Sequence, residues 1–169
     1  MRRSTAAGGS AIFLVVAPGV VAGLIPWLLT GWHGRRPPLR VPLRVLGVLL
    51  IAAGVLVLSR SFVRFVMEGA GTPAPIAPTE RLVVGGLYRF VRNPMYLAVV
   101  ATVIGQALYL GRPILLAYAA GLSALFAAFV RWYEEPALTR RFGAQYQAYR
   151  RAVPAWRPRL HPWEPEERP

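Results

Sequence analysis

The chain has 169 residues, 55% of them hydrophobic, and a formal net charge of +13. So apolar an average with so basic a balance is rare in a soluble domain. The absence of cysteine excludes disulfides, thiolate metal sites and cysteine nucleophiles, and His33 and His161 are too few for a histidine-rich site, so no metal is expected.

Every basic residue is arginine and every acid is glutamate. The arginines sit between apolar runs instead of lining one soluble face. That favours anionic lipid headgroups over nucleic acid as the partner.

The first apolar run, Ala11 to Trp32, is uncharged over 22 residues. It is longer than a signal core, and no small-residue cleavage site follows it before Arg35, so it reads as a retained membrane helix. Pro18 and Pro26 are tolerable kinks inside a bundle. The second run, Val45 to Ser59, is 15 residues long and rises only about 22 Å. It spans if Arg44 and Arg60 snorkel and the helix continues through Phe62, Val63, Phe65 and Val66. Residues 68–78 are rich in proline and glycine and read as irregular loop.

Gly86-Leu-Tyr-Arg-Phe-Val-Arg-Asn-Pro-Met-Tyr96 follows, the densest polar cluster in the chain. Gly85-Gly86 lets the loop fold tightly. Arg89 and Arg92, and Arg92 and Tyr96, have spacings that share a face in helical geometry. Asn93 before Pro94 is biased away from the α region, so a break is expected there, with Pro94 opening the next helix. The exposed N–H groups at such a helix start attract anions. The bland alternative is a basic, aromatic membrane-interface belt.

Met95 to Leu110 and Pro113 to Val130 are the third and fourth runs. Gly111-Arg112-Pro113 is so short a link that it forces an antiparallel hairpin. Gly105 allows close helix approach, and Gln106 is expected to make an interhelical hydrogen bond. Arg131-Trp-Tyr-Glu-Glu135 closes the fourth run, on the same membrane face as the first cluster. Adjacent carboxylates on one helix project about 100° apart. One of Glu134 and Glu135 can therefore face a pocket while the other pairs with an arginine; alternatively both are solvated and neutralised by Arg131 and Arg140.

After Pro136, residues Leu138, Phe142, Tyr146, Tyr149 and Val153 fall within about 80° on a helical wheel. This predicts an amphipathic helix able to lie at the membrane interface. The tail from Pro154 is expected to be loosely ordered. The expected fold is all-α: a polytopic integral-membrane bundle of four spanning helices, or five, plus the carboxyl-terminal interfacial helix. Residues 1–169 form a single domain, with a two-helix part at 11–66, a cofactor-binding region at 78–158 and a flexible tail at 159–169. With four spans, the amino terminus, second loop and tail carry two, five and eight arginines, against four in the first loop plus Arg112. That bias places both polar clusters in the cytoplasm and the protein in the cell inner membrane.

With both clusters in view, the chain resembles the isoprenylcysteine carboxyl methyltransferase family and is similar to the related phospholipid methyltransferases. The resemblance rests on Gly86, Tyr88, Arg92, Pro94 and Tyr96, then Glu134, Glu135 and Leu138, then Phe142, Gly143, Tyr146, Tyr149, Val153 and Pro154. It covers about half of the chain, in order and with compatible spacing. It implies a membrane enzyme that binds S-adenosylmethionine and methylates a lipophilic acceptor entering from the bilayer: an isoprenylcysteine-like carboxylate, a phospholipid amine or another small hydrophobic molecule. No obligate protein partner is implied. By motif, Tyr88, Arg92, Asn93, Pro94, Tyr96, Glu134 and Glu135 would bind the cofactor, with Arg92 and Glu135 as the catalytic pair. Asn93 stands where the family has histidine, and Ala98 where glycine is common. The rivals are an NADPH-dependent reductase of the steroid and sterol type, which has a similar segment, and a non-catalytic lipid-binding membrane protein.

Overall fold

A computed structural model describes residues 16–34, 40–69 and 81–164. Among these the chain is helical and without strands. Helix α1 is Val16–Thr30, α2 is Arg40–Gly69, α3 is Pro94–Leu110, α4 is Pro113–Phe129 and α5 is Glu135–Ala152. A π turn, Val130–Glu134, joins α4 to α5 without a break. Two stretches are long and apolar enough to cross a membrane, Val41–Arg64 and the continuous Pro113–Ala152, while α1 and α3 are shorter apolar helices. The protein is thus an all-α membrane helix bundle, as its apolar runs predict. The start of the first run and residues 70–80 of the second loop lie outside the described residues; α2 itself continues to Gly69.

α3 is the central helix. It packs antiparallel to α2 with glycine at the crossing: a Cβ on Gly47 would lie 2.6 Å from the Gly105 carbonyl oxygen, and one on Gly105 would lie 2.7 Å from that of Gly47. Further along, Gly54 sits against Thr102 and Ala98. Backbones this close gain dispersion contacts where lipid offers no hydrophobic driving force. On its other side, Val99, Val103, Ala107 and Leu110 of α3 meet Leu115, Ala119 and Leu122 of α4. The hairpin between them turns at Gly111, whose φ of 66° closes α3 in the left-handed conformation.

α1 is tied to this core by a proline effect. A π turn at Val20–Leu24 sends the Ile25 N–H to the Val20 carbonyl, and Pro26 has no N–H to give. The carbonyls of Val21 and Ala22 therefore lose their helical donors. Tyr118 of α4 donates to the first at 2.9 Å, and Gln106 of α3 donates to the second at 2.6 Å. The interhelical bond expected of Gln106 is made, and the kink decides with what.

α5 contains one non-helical residue, Gly143, at φ 51° and ψ −124°. Its apolar face is nonetheless continuous: Tyr146, Tyr149 and Val153 are buried against Leu82, Val84, Phe142 and Trp163. The tail differs from expectation. Residues 154–164 are not loose but are pinned along the loop before α3: Arg92 N–H donates to the Pro154 carbonyl, Arg159 N–H to Phe90 and Trp163 N–H to Arg89, at 2.9, 2.9 and 3.0 Å. Composition misleads here because the proline- and arginine-rich tail is ordered by the loop's backbone and not by its own pattern.

Candidate active site

The site forms where the loop before α3 meets the π turn and α5. Gly86 takes φ 58°, and a Cβ there would lie 3.4 Å from the Arg64 side chain, so the loop passes tightly over the end of α2. Gly86–Arg89 is a short 3₁₀ turn. Asn93 then leaves the helical region at φ −119° and ψ 55°, and Pro94 opens α3, as the Asn-Pro step predicts. The 3₁₀ turn ends at Arg89 and residues 91–93 are not helical, so Arg89 and Arg92, whose spacing alone would put them on one face, part ways. Arg89 turns away, donating to the Trp163 carbonyl at 2.7 Å and pairing with Glu164 at 2.8 Å. Arg92 points inward.

Arg92 is the hub of a clamp. Its Nε donates to the Val153 carbonyl at 2.9 Å, and its Nη1 donates to Glu135 Oε1 at 2.8 Å and to the Tyr146 hydroxyl at 3.0 Å. The other oxygen of Glu135 pairs with Arg150 at 3.0 Å. The Arg92 and Glu135 side chains are 11% and 9% exposed, so this is a nearly buried ion pair with further hydrogen bonds on both partners. Asn93 extends the clamp by donating its Nδ2 to the Ala155 carbonyl at 3.2 Å. The Tyr149 hydroxyl donates to the Tyr88 carbonyl at 2.7 Å.

Glu134 faces the other way. It is half-buried and accepts a 3.1 Å hydrogen bond from the Tyr96 hydroxyl. Both groups border a cavity of about 240 Å³ whose polar wall also includes Tyr88, Arg92, Asn93 and Pro94. The opposite wall is apolar: Ala17, Pro18 and Val21 from α1, Leu58 and Phe62 from α2, Val99 from α3 and Phe126 from α4. Tyr96 is packed between two rings, 4.6 Å from Phe126 and 6.4 Å from Trp156 by centroid. The cavity therefore has a charged end and a hydrocarbon end.

Six of the seven sequence-predicted site residues line this cavity. The seventh, Glu135, lies behind Arg92 and instead borders a separate groove with Arg131, Arg140 and Arg150. The predicted division of labour between the two glutamates is present, with Arg92 and Arg150 as the cationic partners of Glu135. Sequence reasoning missed Arg150, Phe126, Trp156 and the α1 and α2 walls. Arg150 lies four residues after Tyr146, one turn of α5 beyond a motif tyrosine and near its face, which is the one local signal for it. The others are ordinary apolar positions or tail residues.

The phospholipid methyltransferase family model matches residues 43–145, more than half of the chain and the part that contains the cavity's polar wall. The match is to the second of the two related families that the motifs resemble; isoprenylcysteine specificity does not come with it. No curated protein and no solved structure matches the chain. On the extent of that match, together with the apolar bundle, the chain belongs to the phospholipid methyltransferase family, whose members are membrane methyltransferases acting on lipid-like substrates.

Proposed function

We propose that the protein uses S-adenosylmethionine to methylate the amine of a lipophilic acceptor taken from the bilayer, with the cavity's charged end toward the cytoplasm. The observation that carries this reading is Glu134: a carboxylate whose hydrogen-bond partner among the described residues is a neutral hydroxyl, set at the polar end of a cavity with hydrocarbon walls. The arginine bias supports the orientation.

The residues present fit the cofactor. When bound, it supplies a methyl group activated on a sulfonium. The rings of Tyr96, Phe126 and Tyr88 offer faces for an adenine and for a cation. Glu134 would accept from a ribose hydroxyl or an ammonium. Arg92 borders the cavity, and its Nη2 would bind a carboxylate while Nε and Nη1 hold the clamp.

The same geometry favours an amine over a carboxylate acceptor. A carboxylate acceptor would need a second cation, since Arg92, the arginine that lines this cavity, would already serve Glu135 and the cofactor carboxylate. An amine needs a carboxylate to hold its ammonium form and take one proton, leaving the nitrogen lone pair free. Glu134 is placed for that. The apolar walls would orient the acceptor's tail and exclude water, so that proximity supplies much of the acceleration. Asn93, in the place of the family histidine, holds the Ala155 carbonyl, so it acts here as a positioning residue and not as a proton carrier.

The test is methyl transfer by detergent-purified protein from labelled S-adenosylmethionine to phosphatidylethanolamine or to a prenylcysteine. Label on the lipid amine alone, abolished by Glu134→Gln, is expected. Label on the prenylcysteine carboxylate alone would overturn the amine reading, and no label on any lipid extract would overturn the enzymatic one.

A further inference from the structure

We infer that Arg44 and Arg112 hold the phosphate of a phospholipid at the end of the bundle opposite the Tyr96–Glu134 cavity. The placement follows from the antiparallel packing. Pro94 of α3 borders the cavity, whereas Leu110 ends the same helix at the far side, where α1 finishes at Thr30 and α2 begins.

Charge makes this end unusual. In sequence, Arg35, Arg36, Arg40 and Arg44 follow the first apolar run and Arg112 sits in the α3–α4 link, and no glutamate occurs in residues 1–67 or 81–133. The chain supplies no counter-ion from its first helices or from the α3–α4 hairpin. The positive-inside bias disfavours arginines here if the cavity is cytoplasmic, so they need another explanation.

Two of these arginines are held in place. Arg112 donates from Nη2 to the Thr30 carbonyl at 3.1 Å. Arg44 lies over the Tyr109 ring, its guanidinium carbon 5.6 Å from the centroid. Both border the turn after α1, where a Cβ on Gly34 would lie 3.9 Å from Nη2 of Arg44 and 3.7 Å from the Leu110 carbonyl. Yet Nε of Arg44 and Nε of Arg112 are both buried without a hydrogen-bond partner among the described residues. An arginine without a carboxylate partner is costly at a membrane edge, and because both residues are only half-buried, a phosphate can meet the Nη edge of each guanidinium with its acceptor oxygens.

The ligand is a lipid and not a free anion because of the neighbouring surface. Val41, Tyr109 and Ile114, beside the two arginines in sequence, are exposed. Acyl chains can lie along these side chains while the headgroup phosphate meets the guanidinium groups.

Native mass spectrometry of the purified full chain tests this with three probes: dioleoyl phosphatidylglycerol, dioleoylglycerol and inorganic phosphate. Phosphatidylglycerol should bind the parent and an Arg157→Gln control alike. The R44Q/R112Q double variant should need about tenfold more lipid, the loss expected for about 1.4 kcal/mol. Equal retention by the double variant, or equal binding of dioleoylglycerol, would overturn the site. Binding of inorganic phosphate without the lipid would overturn the lipid assignment. If the double variant does not fold, the parent's melting temperature decides: phosphatidylglycerol should raise it by more than dioleoylglycerol does, and identical shifts reject the proposal.

Discussion

Glu135 gives one carboxylate oxygen to Arg92 at 2.8 Å and the other to Arg150 at 3.0 Å. One residue earlier, Glu134 accepts a 3.1 Å bond from a tyrosine hydroxyl and borders the cavity. Helical geometry makes them diverge, and the difference in partners sets their roles. The clamp around Glu135 joins α5, the tail and the loop before α3, so it fixes the shape of the site. The cavity around Glu134 keeps a carboxylate available to a ligand. A motif of two identical residues thus combines a carboxylate held between two arginines with one that borders the cavity, to which the proposed function assigns the chemistry.

The contrast predicts that damage to the clamp is read as lost stability and damage to the cavity as lost turnover. Arg92→Ala should have the largest effect. It leaves the nearly buried Glu135 with Arg150 as its cationic partner, and the midpoint of unfolding in detergent should fall by the equivalent of about 3–5 kcal/mol. A stable Arg92→Ala protein would break the distinction. Glu134→Gln comes next and tests the opposite arm. Turnover should fall about 10²- to 10³-fold, while the melting temperature stays close to the parent's because an amide oxygen still accepts from Tyr96. An equal loss of stability would make both glutamates structural.

Two smaller effects sharpen the picture. Gly143→Ala should cost about 1–2 kcal/mol of stability, because φ 51° is unfavourable for a residue with a Cβ. The kink lies between Phe142 and the segment bearing Tyr146 and Arg150, so the loss belongs to the clamp and is measured by thermal melting. Tyr96→Phe removes one neutral donor and keeps the packing on Phe126. Its effect on kcat/KM should be about tenfold or less, corresponding to about 1 kcal/mol, with melting unchanged.

Much of this molecule was legible in its sequence, and the misses have identifiable causes. Four apolar runs gave four helices. Asn93-Pro94 gave the break at the site, and Gly111-Arg112-Pro113 gave the hairpin that brings Glu134 to Tyr96. Spacing failed for Arg89 and Arg92, since face-sharing assumes a continuous helix and the 3₁₀ turn ends at Arg89. Composition failed for the tail. Proline and arginine suggest looseness, but the carbonyls of Pro154 and Ala155 meet the Arg92 N–H and the Asn93 amide of a distant loop.

By itself, the sequence determined what depends on local covalent and periodic properties: which segments are apolar enough to enter a bilayer, where proline and glycine stop helices, and that adjacent glutamates must diverge. The tertiary structure decided which glutamate met an arginine. It also decided that Arg150, Trp156 and the walls of α1 and α2 would reach the site. Those outcomes turn on helix crossings and on carbonyls left without donors by Pro26, and a pairing between residues distant in sequence is fixed only once the backbones have packed.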